Sequence, residues 1–205
     1  MTKLDLTKVH KELYAAGKKP QVLFVPAGHY LSIKGKGDPD GAVFAESVQA
    51  LYTAAYSIKA GYKKTGQDFT VCKLEGIWWV ANEENIKHYL EAMNIPREEW
   101  YWQLLIRMPD FVVNTTAQQL IQEAYLKKGS AYLKKVSLTA QVEGKSVQVM
   151  HNGPYATEPA TIQLIVDFME QEGLKKNGRH HEIYLSDPRK TAPEKLKTIL
   201  RQPVK

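Results

Sequence analysis

Residues 180–188 place several side chains capable of acid–base chemistry in one short segment, His180-His181-Glu182-Ile183-Tyr184-Leu185-Ser186-Asp187-Pro188. The segment alternates like a strand, with His180, Glu182, Tyr184 and Ser186 on one side and His181, Ile183 and Leu185 on the other. Carboxylates are depleted in strands and costly to bury, so a mid-strand Glu182 lies either on a solvated face or in a pocket that needs it. For an isolated Glu, the solvated face is the commoner explanation.

The aromatic residues favour the pocket. They gather in a few predicted strands or at strand ends: Trp78, Trp79, Trp100, Tyr101, Trp102, Phe111, Tyr132, Tyr155 and Tyr184. About half of them belong in a core, but together they exceed what a small core needs. A groove lined by the remainder suits a flat, aromatic, weakly polar ligand. Glu182 at its floor would be partly desolvated, and could act as a general base or bind a cationic ligand.

Other kinds of site find little support. The six histidines are scattered, and the adjacent pair His180 and His181 points to opposite strand faces, so no metal site is expected. The single Cys72 excludes an internal disulfide, fits a reducing cytoplasm, and has no neighbour in sequence that would activate its thiol. Nucleophile-elbow, Walker and zinc-helix motifs are absent from the sequence. We therefore expect no metal and no organic cofactor.

Composition predicts a globular protein of 205 residues, 43% hydrophobic and 24% charged. The net charge of +6 would fit a nucleic-acid partner, but 28 basic residues are interleaved with 22 acidic ones, which indicates a solvated basic surface instead. No apolar run approaches the ~20 residues of a membrane span. Asp5 and Glu12 interrupt any export signal, so a cytoplasmic location is expected.

The first half of the chain predicts a short N-terminal helix over 4–15 and a strand over 21–33, kinked at Pro26 to Gly28. An amphipathic helix from Phe44 to about Gly61 follows, then strands over 68–80 and 100–108. Asn82 is predicted to cap an extra helix between these last two strands. This half is a strand-helix-strand-strand unit.

The second half repeats the plan. After a linking helix over 117–125, strands over 136–142 and 147–151 flank a turn at 143–145. A helix capped by Thr157, the strand containing Glu182 and a C-terminal helix over 191–200 complete it. In this interpretation, Gly28-His29-Tyr30 corresponds to Gly153-Pro154-Tyr155.

The expected architecture is therefore α+β, a tandem pseudo-twofold strand-helix-strand-strand duplication with a central ligand cleft. One domain covers residues 1–205, built of halves at about 20–113 and 114–190 with a short helix at each end.

The sequence resembles the GyrI-like small-molecule-binding domain family, in its stand-alone bacterial form. The resemblance rests on five segments: Gly35-x-Gly37-Asp38-Pro39, Leu74-Glu75-Gly76-Ile77-Trp78-Trp79, Trp102-Gln103-Leu104-Leu105-Ile106-Arg107-x-Pro109-Asp110-Phe111, Gly153-Pro154-Tyr155 and Glu182-Ile183-Tyr184-Leu185-Ser186-Asp187-Pro188. It implies a tandem duplication whose central cleft takes hydrophobic, often aromatic compounds. Family members fused to DNA-binding domains sense cationic drugs with a Glu at the position of Glu182, but about twenty residues before the first strand are too few for such a domain.

Stand-alone members of the family include hydrolases of cyclopropanoid genotoxins, which alkylate DNA through a strained cyclopropane conjugated to a dienone. The resemblance implies Glu182 as the base that activates water, with Tyr155 or Tyr184 orienting the water or donating to the developing phenolate. The predicted ligand-binding residues are Trp79, Trp102, Phe111, Tyr132 and His151. Two alternatives remain: non-catalytic sequestration of planar hydrophobic or cationic drugs, and inhibition of DNA gyrase, for which the basic surface is the only support.

Overall fold

The structure, a computed structural model, describes residues 3–81, 83, 86 and 89–205. These residues contain eight strands: β1 Gln21–Val25, β2 Gly28–Lys36, β3 Leu74–Trp79, β4 Tyr101–Met108, β5 Ser137–Gln141, β6 Gly144–Asn152, β7 His180–Tyr184 and β8 Lys197–Pro203. They also contain five α-helices: α1 Leu6–Val9, α2 Ala42–Lys64, α3 Tyr89–Ala92, α4 Asn114–Lys128 and α5 Glu158–Gln171.

The strands form one antiparallel sheet in the order β1-β6-β8-β7-β3-β4-β2-β5. The corresponding strands of the two halves are β1 and β5, β2 and β6, β3 and β7, and β4 and β8. Exchanging each strand for its counterpart gives the same order read in reverse, so the sheet has an approximate twofold axis between β3 and β7. The predicted α+β duplication is confirmed. The first strand, predicted with a kink at Pro26 to Gly28, is split into β1 and β2, and β5 and β6 correspond to them in the second half.

The split strands join the two halves. β1 pairs with β6, and β2 pairs with β5. The register is the same on both sides of the break at residues 26–27, because Val25 pairs with Gly144 and Gly28 with Gln141. β1–β2 and β5–β6 are therefore two long bent strands that pair with each other, and the sheet curls until its two ends meet.

The predicted hairpin around residues 143–145 is wrong. β5 and β6 are not neighbours in the sheet, and the two residues between them, Val142 and Glu143, continue the bent strand instead of reversing it. Gly144 begins β6 with φ 76°, a conformation that glycine adopts at little cost. β5 pairs with β2 and β6 pairs with β1, both in the other half, so proximity in sequence did not decide these two pairings.

The curled sheet has two distinct faces. The long helices α2 and α5 pack on one of them, α2 against β2 and β4 and α5 against β6 and β8. Directly paired residues share a face, so Leu104 of β4, Gly76 of β3 and Glu182 of β7 all lie on this helix face. The inner face, on the concave side, carries Glu75 and His181.

The predicted C-terminal helix is also wrong. Residues 193–195 form a single 3-10 turn, and Lys197–Pro203 form β8, which pairs with β6 and β7. Leu196, Ile199 and Leu200 have helical spacing, but β8 is buried on both faces, and this removes the alternation that marks a strand. The second half therefore extends through β8.

The predicted cap Asn82 lies outside the described residues, while α3 does form before Pro96. The proposed match of Gly28 to Gly153 is wrong, since Gly28 begins β2 whereas Gly153 follows β6. The counterpart of Gly153 is Gly37, which follows β2; their φ values are 134° and 117°.

Candidate functional site

Glu182 lies at the centre of the sheet, on the helix face between α2 and α5. It pairs with Gly76 across β3 and β7, close to the approximate twofold axis. Its relative exposure is 5%. Glu182 is therefore buried and does not lie on a solvated strand face, the commoner explanation for an isolated Glu.

A hydrogen-bonded chain leads to one oxygen of Glu182. The Tyr184 hydroxyl donates to Glu182 Oε2 at 2.9 Å, and Trp78 Nε1 donates to Tyr184 Oη at 3.0 Å. A Cβ on Gly76 would lie 2.8 Å from Tyr184 Oη and 2.9 Å from Trp78 Nε1. The chain therefore occupies space that is open only because residue 76 is glycine.

His180 lies beside the other oxygen. Its Nε2 is 3.4 Å from Glu182 Oε1 but makes no hydrogen bond, and the residue is 2% exposed. The Tyr89 ring stacks on the imidazole at 4.0 Å between centroids, with 13° between the planes. The imidazole is thus held flat against an aromatic wall beside the carboxylate.

A second carboxyl group, Glu158, enters the site as the first residue of α5. It is 5% exposed, and its Oε1 is buried without a hydrogen-bond partner. Burial raises the pKa of Glu158 well above its usual value, and the negative charge of Glu182 raises it further. The two carboxyl groups interact strongly, so near neutral pH the pair holds one proton, which we place on Glu158.

Tyr155 lies at the open side of the cleft, in the 3-10 turn Tyr155–Thr157 that precedes α5. It is 38% exposed, and its ring meets that of Tyr184 edge-on at 6.0 Å. Burial and then the charge of Glu182 raise the pKa of the Tyr155 hydroxyl to about 12, so it stays protonated. Of the two predicted tyrosines, Tyr155 is the one with a hydroxyl group not engaged by Glu182.

His151 lies near the site but is occupied. Its Nδ1 is 2.8 Å from Thr161 Oγ1, and its Nε2 is 3.2 Å from the Pro154 carbonyl oxygen. It therefore connects β6 to the start of α5 and positions the turn that carries Tyr155. With both ring nitrogens engaged, it does not present a group to a ligand.

The structure does not bring Trp79 to Glu182. Neighbouring strand residues point to opposite faces, so Trp79 lies on the inner face, where it stacks on Tyr101 at 5.8 Å with Arg179 above its ring at 3.9 Å. Trp78 takes the place in the cleft that we expected for Trp79.

Three other predicted ligand contacts also lie elsewhere. Trp102 is on the helix face but is fully buried beneath α2, where its ring covers Gly35. Phe111 packs against Tyr62 at 5.5 Å, and Tyr132 lies on a 3-10 turn under the side chain of Lys135. These residues belong to the core or its edge, because bulky aromatic residues also fill the space under the helices.

Sequence reasoning missed four side chains as site residues: Trp78, Glu158, His180 and Phe44. Phe44 stacks on Trp78 at 5.7 Å and forms part of the aromatic wall. For Trp78 and His180 the sequence carries a signal that could have identified them as site residues: they pair with each other across β3 and β7 and share the face of Glu182. Glu158 carries none, because an acidic residue in the first turn of a helix is common for reasons of capping and dipole alone.

A second cluster of buried ionisable groups lies on the inner face. His181 Nδ1 is 3.1 Å from Glu143 Oε2, and His181 Nε2 is 3.1 Å from Glu75 Oε2. Arg201 Nη1 is 3.4 Å from Glu143 Oε2, and the Tyr14 hydroxyl donates to Glu75 Oε1 at 2.9 Å. Because Tyr14 follows α1, this cluster ties the N-terminal segment to the centre of the sheet.

The charges of this cluster stabilise each other. Burial alone would lower the pKa of His181, but Glu143 and Glu75 raise it to about 9. Burial alone would raise the pKa of Glu143, but His181 and Arg201 lower it to about 2. His181 and Glu143 are thus oppositely charged over a wide pH range, from about 2 to about 9.

A recess of about 190 Å³ lies beside this network, with Tyr30, Gln103 and Gln141 among its walls. It is on the inner face, so it is separate from the cleft around Glu182. Among the described residues, no group of three or more His, Cys, Asp or Glu is arranged to hold a metal ion. In the same part of the chain, no helix combines the length and the apolar character needed to cross a bilayer.

The duplicated α+β sheet thus buries two carboxyl groups among aromatic rings at its centre. The chain belongs to the GyrI-like small-molecule-binding domain family, whose profile matches residues 110–205. Family membership is also supported by relatives that match the whole chain. No curated protein matches significantly.

Three solved structures from Listeria innocua are similar over nearly the full length. An uncharacterized conserved protein is 41% identical with a TM-score of 0.89, and the match covers 99% of this chain and 100% of that one. A protein described as a hydrolase is 40% identical with a TM-score of 0.85, over 99% and 100% of the two chains. A further one described as a hydrolase is 39% identical with a TM-score of 0.87, and both chains are covered fully.

Proposed function

We propose that this protein is a hydrolase that opens the cyclopropane ring of cyclopropanoid DNA alkylators by adding water, and so detoxifies them. The observation that carries the proposal is the pair of buried carboxyl groups, Glu182 and Glu158, which together hold one proton in an aromatic cleft. Such a pair supplies a base and an acid in the same site. The hydrolase descriptions of two relatives at 40% and 39% identity support the reaction class.

Glu182 acts as the base in this proposal. It is held by Tyr184 at Oε2, which leaves Oε1, on the side of His180, to accept a proton from water. The water oxygen attacks the ring CH₂ carbon and forms the new C–O bond. The C–C bond of the cyclopropane breaks, and its electron pair moves into the dienone, which becomes a phenolate.

Glu158 acts as the acid. Its buried, protonated carboxyl group donates to the phenolate oxygen, with the protonated Tyr155 hydroxyl as a second donor at the open side of the cleft. Glu182 gains one proton and Glu158 loses one, so turnover leaves the proton count of the pair unchanged. The protein then returns to its starting state by moving one proton within the pair, directly or through solvent, and substrate plus water gives the phenol alcohol.

The aromatic walls define the substrate class. Trp78 stacks on Phe44, and Tyr89 stacks on His180 beside Glu182. Both catalytic carboxyl groups are 5% exposed, so a ligand reaches them only after these rings move apart. A planar, largely apolar compound can stack on these rings, and this stacking replaces the ring–ring contacts that are lost when it enters.

A second candidate is binding without catalysis, in which the cleft sequesters planar cationic compounds. It is favoured by the buried Glu182 carboxylate and by the aromatic rings around it, because both attract a desolvated cation. The two candidates differ in one observable, namely whether the bound compound is released unchanged.

The experiment is turnover of a cyclopropanoid alkylator by the purified protein, followed by chromatography and mass spectrometry. Wild-type protein should convert many equivalents. Glu182→Gln should reduce the rate roughly 100- to 10,000-fold, the range for loss of a general base. Glu158→Gln should also slow it strongly, whereas Glu170→Gln, an exposed position on the same helix, should not. Recovery of intact compound from a tight complex would support sequestration instead.

A further inference from the structure

The hydrogen-bond chain from Trp78 to Glu182 fixes the direction of every proton in it. An indole N–H can only donate, so in the contact with Trp78 the oxygen of Tyr184 must be the acceptor. A tyrosine hydroxyl has one proton, and the remaining partner at hydrogen-bond distance is Glu182 Oε2 at 2.9 Å. Tyr184 therefore donates to Glu182, and Oε2 must be unprotonated.

This arrangement has consequences for both residues. A carboxylate that accepts a fixed hydrogen bond is favoured in its charged form. Tyr184 cannot donate to a ligand without giving up Glu182. The free tyrosine of the cleft is then Tyr155, and Tyr184 acts through the carboxylate.

The space for the chain is specific to this strand pair. A Cβ at residue 76 would lie 2.8 Å from Tyr184 Oη and 2.9 Å from Trp78 Nε1, closer than Cβ atoms approach polar atoms in proteins. Phe44 stacks on the Trp78 ring at 5.7 Å, and Trp100 meets it edge-on at 6.0 Å. The indole is therefore held in the orientation that directs its N–H at Tyr184.

We propose that Trp78 is a positioning residue of the cleft, whose indole N–H directs the Tyr184 hydroxyl at Glu182 and so keeps that carboxylate charged and ready to accept a proton. This inference rests on the proposed function for its catalytic consequence, but the orientation itself can be measured without a substrate. Trp78 is not expected to donate to the reacting atoms.

Other ionisable groups face the same carboxylate and must be considered together with Trp78. They are His180 and Tyr184 on β7, Glu158 on α5, Tyr155 in the turn before it, and Tyr89 on α3. The pH dependence of the protein reports this whole group together. A change at Trp78 alone tests the contribution of its N–H.

The experiment compares Trp78→Phe with Trp79→Phe, its neighbour on the opposite face. Phenylalanine keeps an aromatic ring and removes the N–H. In Trp78→Phe the Tyr184 hydroxyl is free to turn away, so Glu182 should protonate at higher pH, by roughly half a unit to one unit, the size of a weakened hydrogen bond to a charged group. The acid limb of the pH–rate profile should move by the same amount, and Trp79→Phe should leave it in place.

A substrate-free measurement separates this inference from the proposed function. Carbon-13 labelling of glutamate side chains lets the Glu182 carboxyl be titrated by NMR, with Glu182→Gln identifying its signal. Trp78→Phe and Tyr184→Phe should both move this titration upward, and the double variant should move it no further than the larger single change. If Tyr184→Phe moves it and Trp78→Phe does not, the positioning role of Trp78 is wrong.

The remaining outcomes are equally decisive. Absence of turnover by the wild-type protein removes the hydrolase proposal, while the titration still tests Trp78. If Trp78→Phe does not fold, Gly76→Ala keeps the indole and pushes Tyr184 aside, and the same upward titration is expected. A Gly76→Ala protein that titrates like the wild type would overturn the inference.

Discussion

Gly76 and Glu182 are directly paired at the centre of the sheet, and the approximate twofold axis exchanges their positions. The register supports this equivalence. Ile33 of β2 aligns with Gly76 through β4, and Val149 of β6 aligns with Glu182 through β8. The duplication thus places a carboxylate in one half and, in the other, the glycine that makes room for its hydrogen-bond partner.

Gly76→Ala should disable the cleft while leaving the fold in place. The added methyl group would lie 2.8 Å from Tyr184 Oη, so the bond from Tyr184 to Glu182 must lengthen or break. We expect turnover to fall at least about tenfold, the cost of one charge-assisted hydrogen bond. Gly17→Ala is the control, because its Cβ would meet no atom closer than 3.9 Å. Equal loss in both variants would contradict this account.

Glu158→Gln should change how stability depends on pH. The raised pKa of Glu158 means that, above the unfolded value of 4.5, the folded protein keeps a proton that the unfolded chain has released. Rising pH then lowers the free energy of unfolding. Glutamine removes this term, so the variant should gain stability relative to the wild type as pH rises from about 5 to 8. Thermal unfolding across this range measures it, and parallel curves for the two proteins would argue against a buried, protonated Glu158.

The inner-face cluster should set the limits of the stable pH range. The pKa of His181 is raised from 6.5 to about 9, so its contribution is fully present below 6.5 and is lost as pH rises through 9. The pKa of Glu143 is lowered from 4.5 to about 2, so its contribution is present above 4.5 and is lost as pH falls through 2.

Glu143→Gln removes the partner of both His181 and Arg201, and should lower the free energy of unfolding by about 3–5 kcal/mol near neutral pH. The loss of stability on the alkaline side should also become shallower. Chemical denaturation at several pH values measures both effects. Glu194→Gln, at an exposed position, should have neither; a neutral result for Glu143→Gln would show that the cluster does not stabilise the fold.

Tyr155→Phe should lower kcat more than it raises KM. Its hydroxyl is protonated, with a pKa of about 12, and reaches the open side of the cleft, so in the proposed reaction it assists the charge that develops on the substrate oxygen. A reduction of roughly 10- to 100-fold in kcat is expected for a donor that assists Glu158. Tyr132→Phe is the control, since that ring lies under Lys135 away from the site. A change in KM alone would assign Tyr155 to binding only.

The sequence predicted the centre of the site because β7 alternates clearly. Glu182 and Tyr184 are two residues apart on one strand, and this spacing alone places both on one face. The duplication was also visible, since the order of strands and helices repeats. The pairing of split strands across the halves was not, because it depends on long-range register rather than on local pattern.

The missed features share a physical cause. β8 is buried on both faces, and the residues of β3 are buried or half-buried on both, so hydrophobicity does not distinguish Trp78 from Trp79, or β8 from a helix. Glu158 resembles an ordinary acidic residue at a helix N-terminus until the packing of α5 brings it close to Glu182. Its role depends on burial, which no local pattern in the sequence records.

The most direct test of the central claim is hydrolysis of a cyclopropanoid alkylator in ¹⁸O-labelled water by wild-type protein and Glu182→Gln, with the product analysed by mass. We expect many turnovers by the wild type, one ¹⁸O in each ring-opened product, and little product from the variant. Recovery of the intact compound, or a single alkylation of the protein with no further conversion, would contradict the account and leave the cleft as a binding site only.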